Sequence, residues 1–275
     1  MFADIDLAVE AEREEAEFMA ACSRATGLRY GVPVFQVPIA GGVATYAGPD
    51  SPFNKVVGVG FDGIPTAAEL RKIEERFAAY HAATSFEIAT LAAPEVFEAL
   101  SEHGYRLVSF ESVLLRRLET SDDDPAVAGI DVRRAEEEVD VWLDLAVESA
   151  LHPDTAGIPQ HDSFPRDSLE AAEMAGLDAG ARPYVARIAG EPAGAGGLRV
   201  AGRFAQLTGA GTVPAFRRRG VQKELVRTRL QDARAAGCEY AIVTTQPGST
   251  SQANMQRFGF GLGYARAVMA REVYT

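Results

Sequence analysis

A glycine-rich run, a basic turn and a helical pattern follow one another near residue 220. The alternating run from Phe204 to Val213 predicts a strand whose backbone is closely approached. From Val221 onward the residues recur at helical spacing, until Gly237 provides a stop. Three arginines and Gly220 lie between them, where first-turn N–H groups and the helix dipole favour anions. The sequence therefore predicts an anion site at this turn.

The same turn carries a family resemblance. Arg217-x-x-Gly220-x-Gln222 resembles the Arg/Gln-x-x-Gly-x-Gly/Ala signature of the GNAT superfamily of N-acetyltransferases, and the preceding Thr212-Val213-Pro214 resembles the approach to that signature. Gln222 departs from the small residue of the family, but its backbone N–H group is retained. The resemblance covers residues 130–272 by motifs, and residues 1–118 only by the order of elements.

The resemblance implies a fold, a co-substrate and a binding site. We expect an α/β protein with two GNAT-like domains in tandem, each a central, mostly antiparallel sheet flanked by helices. Acetyl-CoA is the implied co-substrate, its pyrophosphate held by the turn and its pantetheine arm paired with the glycine-rich strand. The residues implied to bind it lie in this strand and turn and in a later helix: Gly211, Thr212, Val213, Arg217, Arg218, Arg219, Gly220, Val221, Gln222, Lys223, Ser251 and Asn254.

A weak internal repeat supports the two-domain organisation. A constant shift of 155 residues places Phe61 on Phe216, Leu70 on Leu225 and Thr90 on Thr245. We expect a first domain at residues 1–120, a linker at 121–129 and an acetyl-CoA-binding domain at 130–275. At the turn, the first copy has Asp62-Gly63-Ile64-Pro65 in place of three arginines and Gly220. Because proline lacks an N–H donor, the first copy is expected to be a platform that does not bind CoA.

Three further local signals bear on this organisation. Thr66 and Glu69 form a predicted capping box after Pro65, and a helix over residues 4–25 is expected to end before Gly27. The G-x-G-x-x-G match at residues 58–63 lies too far before the Thr66 helix start for a dinucleotide site, so it is interpreted as structural glycine.

Charge and composition exclude several classes of protein. The net charge is −12, and residues 1–124 hold 10 basic against 21 acidic residues while residues 125–275 hold 17 against 18. Nucleic-acid binding is therefore not expected. No apolar run is long enough for a membrane span, the first residues are acidic, and two cysteines form no disulfide framework or metal motif. The expected location is cytoplasmic, with no metal and no membrane partner.

The catalytic residues are harder to assign. Counting back from Gly259, the tyrosine that protonates the leaving thiolate in the family falls on Met255, so Tyr264 is a substitute candidate acid. Residues 151–167 read as an irregular segment over the acceptor, and His152 is the candidate base, with His161, Asp154 and Asp162 nearby. The central strand offers Gln206 and Thr208 in place of a carboxylate. Each histidine can equally be an ordinary loop residue.

The sequence thus predicts an N-acetyltransferase. An amine of a small molecule or peptide would attack acetyl-CoA directly in a ternary complex, with the Val213 N–H group steadying the oxyanion. Two alternatives stay open: a CoA-binding sensor without catalysis, and an interaction protein that uses its sheet edges. A homodimer is also left open.

Overall fold

The protein is a mixed α/β fold of eleven strands and seven α-helices in the part of the chain that the structure describes. The computed structural model describes residues 3–119, 125–154 and 163–271. Residues 121–124 of the predicted linker therefore lie outside the described residues. His161 and Asp162 lie outside them too. The helices are α1 (Ile5–Tyr30), α2 (Ala67–Ala78), α3 (Glu95–Glu102), α4 (Val139–Leu151), α5 (Arg166–Asp178), α6 (Val221–Ala235) and α7 (Thr250–Arg257).

All strands belong to one continuous sheet with the order β1-β2-β3-β4-β11-β5-β10-β9-β8-β7-β6. The strands are β1 (Phe35–Ile39), β2 (Gly42–Tyr46), β3 (Lys55–Val57), β4 (Thr84–Ala89), β5 (Arg106–Arg117), β6 (Ile130–Arg134), β7 (Arg182–Ile188), β8 (Glu191–Ala201), β9 (Phe204–Thr212), β10 (Tyr240–Thr245) and β11 (Gly261–Arg271). Neighbours are antiparallel except β3 with β4 and β9 with β10, where α2 and α6 make the crossovers. The predicted fold class is confirmed.

The two halves exchange their last strands. β5, from the first half, lies between β10 and β11 of the second half, and β11 lies between β4 and β5. The 155-residue shift maps α3 (Glu95–Glu102) onto α7 (Thr250–Arg257), and β5 onto β11. The predicted units therefore share a single sheet, and their exact boundaries stay a prediction.

Each half has its own hydrophobic core, and a third cluster joins them. Phe77, Phe86 and Leu100 are buried in the first core, and Leu225, Leu230 and Met255 in the second. The joining cluster collects side chains from α1 and the central strands: Leu7, Ala8, Ala11, Ala89, Val113, Leu115, Phe204, Ile242 and Tyr264. The helix α1 therefore belongs to both halves in its packing.

The start of α2 agrees with its local sequence signal, and the end of α1 does not. The Thr66–Glu69 capping box is present, with the Thr66 N–H group donating to Glu69 at 2.8 Å. The expectation that α1 ends before Gly27 is wrong, because the helix runs through Gly27 to Tyr30. Gly31 is the actual stop, in the left-handed region with φ +65°. Among the described residues, no helix combines the length and the apolar composition needed to cross a membrane.

Candidate functional site: a basic loop and a strand fork

The basic turn folds into a loop with free backbone donors. After β9, Pro214–Phe216 form a short 3₁₀ turn, and α6 begins at Val221. Arg218 (φ +61°) and Gly220 (φ +91°) adopt the left-handed conformation, which turns the chain sharply into the helix. The first backbone bond of α6 runs from the Glu224 N–H group to the Gly220 carbonyl, 3.0 Å. The amides of Val221, Gln222 and Lys223 therefore form the donor-rich first turn that favours an anion.

The three arginines of the loop differ in their contacts and in their exposure to solvent. Arg217 is partly buried: its Nε donates to the Thr212 carbonyl at 3.2 Å, and another guanidinium nitrogen donates to the His152 carbonyl. Arg218 and Arg219 are exposed, and the Arg219 guanidinium lies 5.3 Å from the centre of the Phe216 ring. Arg217 therefore fixes the loop to the end of α4, while the other two cations face solvent beside the free amides.

β9 and β10 diverge and open a fork in the sheet. They pair only from Phe204 with Tyr240 to Ile242 with Gln206, and the strands separate beyond that point. On its other side β10 is held along its whole length by β5, a strand of the first half. A cavity of about 320 Å³ lies at the fork. Its walls come from β9, β10, α1, α4, α5 and the loop after β2, and they include Phe18, Met19, Phe53, Trp142, Leu169, Glu173, Gln206, Thr208, Gly209 and Ile242.

The glycines of β9 allow two helices to approach the strand closely. A Cβ atom on Gly211 would lie 2.2 Å from the Ser149 Cβ of α4. A Cβ atom on Gly209 would lie 2.7 Å from the Glu173 carboxylate of α5. Small residues at these positions thus fit α4 and α5 against the fork. The sequence suggested that the glycines leave room for a ligand arm. The structure adds a second reason, which is the close packing of α4 and α5 against β9.

Two buried hydroxyl groups near the fork lack a hydrogen-bond partner among the described residues. Ser149 Oγ lies beside Gly211 near the end of β9, and Thr245 Oγ1 lies in the last residue of β10. Unpaired buried hydroxyls are rare because the loss of water hydrogen bonds costs free energy. Both groups therefore have unused hydrogen-bonding capacity close to the fork.

A carboxylate of the first half reaches the central strand. Gln206 of β9 donates to Glu15 of α1 at 3.2 Å, and its amide oxygen accepts a bond from Arg199. The sequence placed no carboxylate on this strand, and the structure brings one there from α1. No local signal could have revealed it, because 191 residues separate the two side chains.

A larger cavity of about 1120 Å³ adjoins the fork, and Pro52 and Leu169 line both. Its floor carries Lys55, Glu87 and Glu111 from strands of the first half. Lys55 pairs with Glu87, and the buried Arg266 guanidinium of β11 lies 3.5 Å from Glu111. Burial, and then the neighbouring Glu87, raise the pKa of Glu111 to about 7. The first half therefore supplies a charged wall next to the fork.

The candidate catalytic residues from the sequence lie in different surroundings. His152 ends α4, and its Nδ1 lies 3.0 Å from a carboxylate oxygen of Glu148. Its backbone carbonyl accepts a bond from Arg217, so the structure brings His152 to the basic loop. Tyr264 is buried in β11, its hydroxyl donates to Glu12 at 2.6 Å, and burial raises its pKa. The catalytic roles of both residues stay predictions.

The remaining predicted binding residues are partly engaged within the protein. The Val213 N–H group donates to the Ala193 carbonyl at 3.2 Å, so the donor suggested for the oxyanion is already used. In α7, Ser249 is the N-cap and bonds to Gln252, while Ser251 is exposed. Asn254 accepts a bond from Arg257 at 2.9 Å. Met255, at the position of the family tyrosine, is buried in the second core.

Part of the chain resembles a known protein family. Residues 145–260 match the model of the acetyltransferase (GNAT) family, a segment that contains α4, α5, β9, the basic loop and the fork. No match was found among curated proteins. This segment of the second half is therefore similar to the GNAT family of acetyltransferases.

Solved structures extend the likeness to the whole chain. A GCN5-related N-acetyltransferase from Kribbella flavida is 19% identical with a TM-score of 0.60, over 94% of this chain and 96% of that one. A GCN5-related N-acetyltransferase from Sphaerobacter thermophilus is 16% identical with a TM-score of 0.57, over 100% and 95%. A tandem GNAT protein from the clavulanic acid biosynthesis pathway is 13% identical with a TM-score of 0.61, over 100% and 98%. The chain thus has the same fold as these three structures, one of which is a tandem GNAT protein.

Proposed function

We propose that this protein transfers an acetyl group from acetyl-CoA to a primary amine of a small molecule or peptide. The observation that carries the proposal is the basic loop placed at the mouth of a strand fork. Its first-turn amides, with Arg218 and Arg219 beside them, suit a pyrophosphate. The edge of β9 that faces the fork beyond Gln206 has no strand partner there, so an extended arm carrying amides can pair with it.

The residues at the fork fit acetyl-CoA chemically. Ser149 and Thr245 hold unpaired buried hydroxyls near the end of that path, and these can bond amide or thioester oxygen atoms. The cavity beyond them has mostly apolar walls with few polar groups, which is typical of a small-molecule site. An amine that enters this cavity would meet the thioester carbonyl directly, so a ternary complex is the mechanism that the geometry supports best.

The first half is proposed to be a platform that does not bind CoA itself. Pro65 occupies the place that corresponds to Gly220, and the Thr66 amide at the start of α2 is already bonded to Glu69. No arginine stands at the corresponding turn. The half contributes instead β5, which backs the fork, and α1, which brings Glu15 to it.

A second candidate is a protein that binds acetyl-CoA without transferring its acetyl group. Met255 favours this candidate, because its buried thioether replaces the tyrosine that supplies a proton to the leaving thiolate in the family. Thiol release separates the two candidates, since only a transferase produces free CoA in proportion to the amine acetylated.

Thermal shift with acetyl-CoA tests the binding step. A ligand present at about 100 times its Kd should stabilise the folded protein by about 2.7 kcal/mol. Arg218→Gln should reduce the shift without unfolding the protein, because Arg218 is exposed. Arg133→Gln, at an exposed arginine of β6, is the matched control and should keep the full shift. Absence of any shift in the wild type would reject the proposal, and a shift without thiol release from any amine would favour the binding-only candidate.

A further inference from the structure

Glu173 is placed at the fork by the fit between α5 and β9. Its two carboxylate oxygens lie 2.7 and 2.8 Å from the position that a Cβ atom on Gly209 would take. The side chain lines the fork cavity together with Trp142, Leu169 and Thr208. The carboxylate therefore occupies the space beside the strand along which the acyl group is proposed to lie.

The surroundings of Glu173 leave its charge without compensation. Among the described residues, none donates a hydrogen bond to its carboxylate or forms an ion pair with it, and burial raises its pKa to about 7. From α1, the groups that face it are Glu15 across the cavity and the buried Cys22 thiol, whose raised pKa reflects in part the Glu173 charge. Arg199 of β8 is turned toward other partners, Gln206, Glu14 and the Phe18 ring. A carboxylate in this state is partly ionised near neutral pH and accepts a proton more readily than an ordinary glutamate, as suits a general base.

Glu15 is the other carboxylate that lines the cavity among the described residues. It accepts a bond from Gln206 and lies 3.8 Å from the Arg266 guanidinium, so its carboxylate is already engaged within the protein. His152 lies instead at the end of α4, where its ring pairs with Glu148 and its carbonyl with Arg217. Geometry and surroundings together favour Glu173 over both.

We propose that Glu173 is the general base that removes a proton from the ammonium group of the acceptor, an inference that rests on the proposed acetyl transfer. The ammonium N–H bond breaks and a carboxyl O–H bond forms on Glu173, which frees the nitrogen lone pair. The nitrogen attacks the thioester carbonyl, the C–N bond forms and the C–S bond breaks. The nitrogen then loses a second proton, which converts the leaving thiolate into a thiol. Glu173 releases the first proton to water.

The test compares Glu173→Gln with Glu170→Gln, an exposed glutamate of the same helix that pairs with Arg166. Thiol release is measured with 2-phenylethylamine, putrescine and glycine methyl ester as amine probes between pH 5.5 and 9. Glu173→Gln should lose about 100-fold or more in kcat, while its thermal shift with acetyl-CoA stays as in the wild type. The rise of kcat/KM with pH that is centred near pH 7 in the wild type should disappear, and Glu170→Gln should keep it.

Two further measurements keep the inference falsifiable. Hydroxylamine is neutral at pH 7 and needs no base, so Glu173→Gln should react with it nearly as fast as the wild type. Carbon-13 NMR of protein labelled at the glutamate side-chain carboxyl must show a group that titrates near pH 7 and is lost in Glu173→Gln, while the signal of Glu111, which also has a raised pKa, remains. A Glu173 that is fully ionised at pH 6, or a variant that keeps more than a third of the wild-type kcat, overturns the assignment. A wild type that binds no acetyl-CoA instead overturns the proposed function, and the role of Glu173 with it.

Discussion

The Tyr264 hydroxyl donates a hydrogen bond of 2.6 Å to Glu12, across 252 residues of the chain. The same carboxylate oxygen also accepts a bond of 2.8 Å from the Arg266 Nε. Tyr264 and Arg266 of β11 therefore both bond to Glu12 of α1. These bonds fix the last strand in the sequence to the first helix. The three side chains are almost completely buried.

Tyr264→Phe should destabilise the protein without removing activity. The change leaves a buried carboxylate oxygen with one donor fewer, which costs about 1–3 kcal/mol. We expect a thermal midpoint below that of the wild type. We expect kcat to stay within about threefold of the wild-type kcat, which corresponds to a change of about 0.7 kcal/mol or less in the activation free energy. Tyr30→Phe, at an exposed tyrosine near the end of α1, should leave both unchanged. A large loss of kcat at unchanged stability would instead make Tyr264 the acid that protonates the thiolate.

Arg229→Met should be strongly destabilising. Arg229 is 1% exposed, and its guanidinium donates to the carbonyls of Leu225, Gly197 and Thr208 without a carboxylate partner among the described residues. It supports the irregular pairing of β8 with β9 between Ala195 and Gly197. Methionine fills part of the volume but leaves the carbonyls unpaired, so we expect a loss of about 2–4 kcal/mol in urea unfolding. Arg133→Met should change the midpoint little, and an equal effect of both variants would contradict this account.

The stability of the protein should fall as pH rises from about 5 to about 7. Burial raises the pKa of Glu173 and of Glu111 to about 7 each, above the value of 4.5 for an ordinary glutamate. Between these values the folded protein binds more protons than the unfolded chain, so the free energy of unfolding decreases with pH and then levels off. Thermal melts at pH 5.5, 7 and 8.5 measure the decrease. Glu173→Gln should show a smaller one than Glu170→Gln, and identical curves would contradict the burial of this charge.

The two halves should stay together after the chain is cut between them. A protease site inserted at residues 120–124 allows the folded protein to be cleaved. Because β5 and β11 each pair inside the other half, we expect both pieces to elute as one species in size-exclusion chromatography. Each half expressed alone should aggregate, since an unpaired central strand exposes its backbone groups and an apolar face. Two separate, folded and monomeric halves would contradict the shared sheet.

Local features of the fold and site could be predicted from sequence, and contacts between distant segments could not. The Thr66 capping box and the Arg217–Gly220 turn depend on neighbouring residues, and both gave correct expectations of where helices begin. The end of α1 was misplaced because Gly27 looks like a stop, while the helix continues to Gly31. Here tertiary packing outweighs the low helix propensity of glycine.

The strand exchange and the position of Glu173 are contacts between distant segments, which the sequence did not predict. β5 and β11 occupy equivalent places in the repeat, so the sequence contains nothing that decides which half each one joins. Glu173 resembles any glutamate on a polar helix face until the fold sets it against Gly209. The glycines of β9 were the available signal, since a strand without side chains at two alternate positions indicates that something packs closely there.

The exchanged strands also give the first half a structural role in the second half that does not depend on a ligand of its own. In a protein with separate domains, a half that lost its ligand could be deleted without harm to the other. Here β5 pairs with β10 beside the fork and α1 carries Glu15 to its cavity, so we expect deletion of the first half to remove part of the proposed site. Natural selection therefore acts on the two halves as one inherited unit. We therefore expect substitutions at the Asp62–Pro65 turn to be tolerated better than substitutions in β5 and α1.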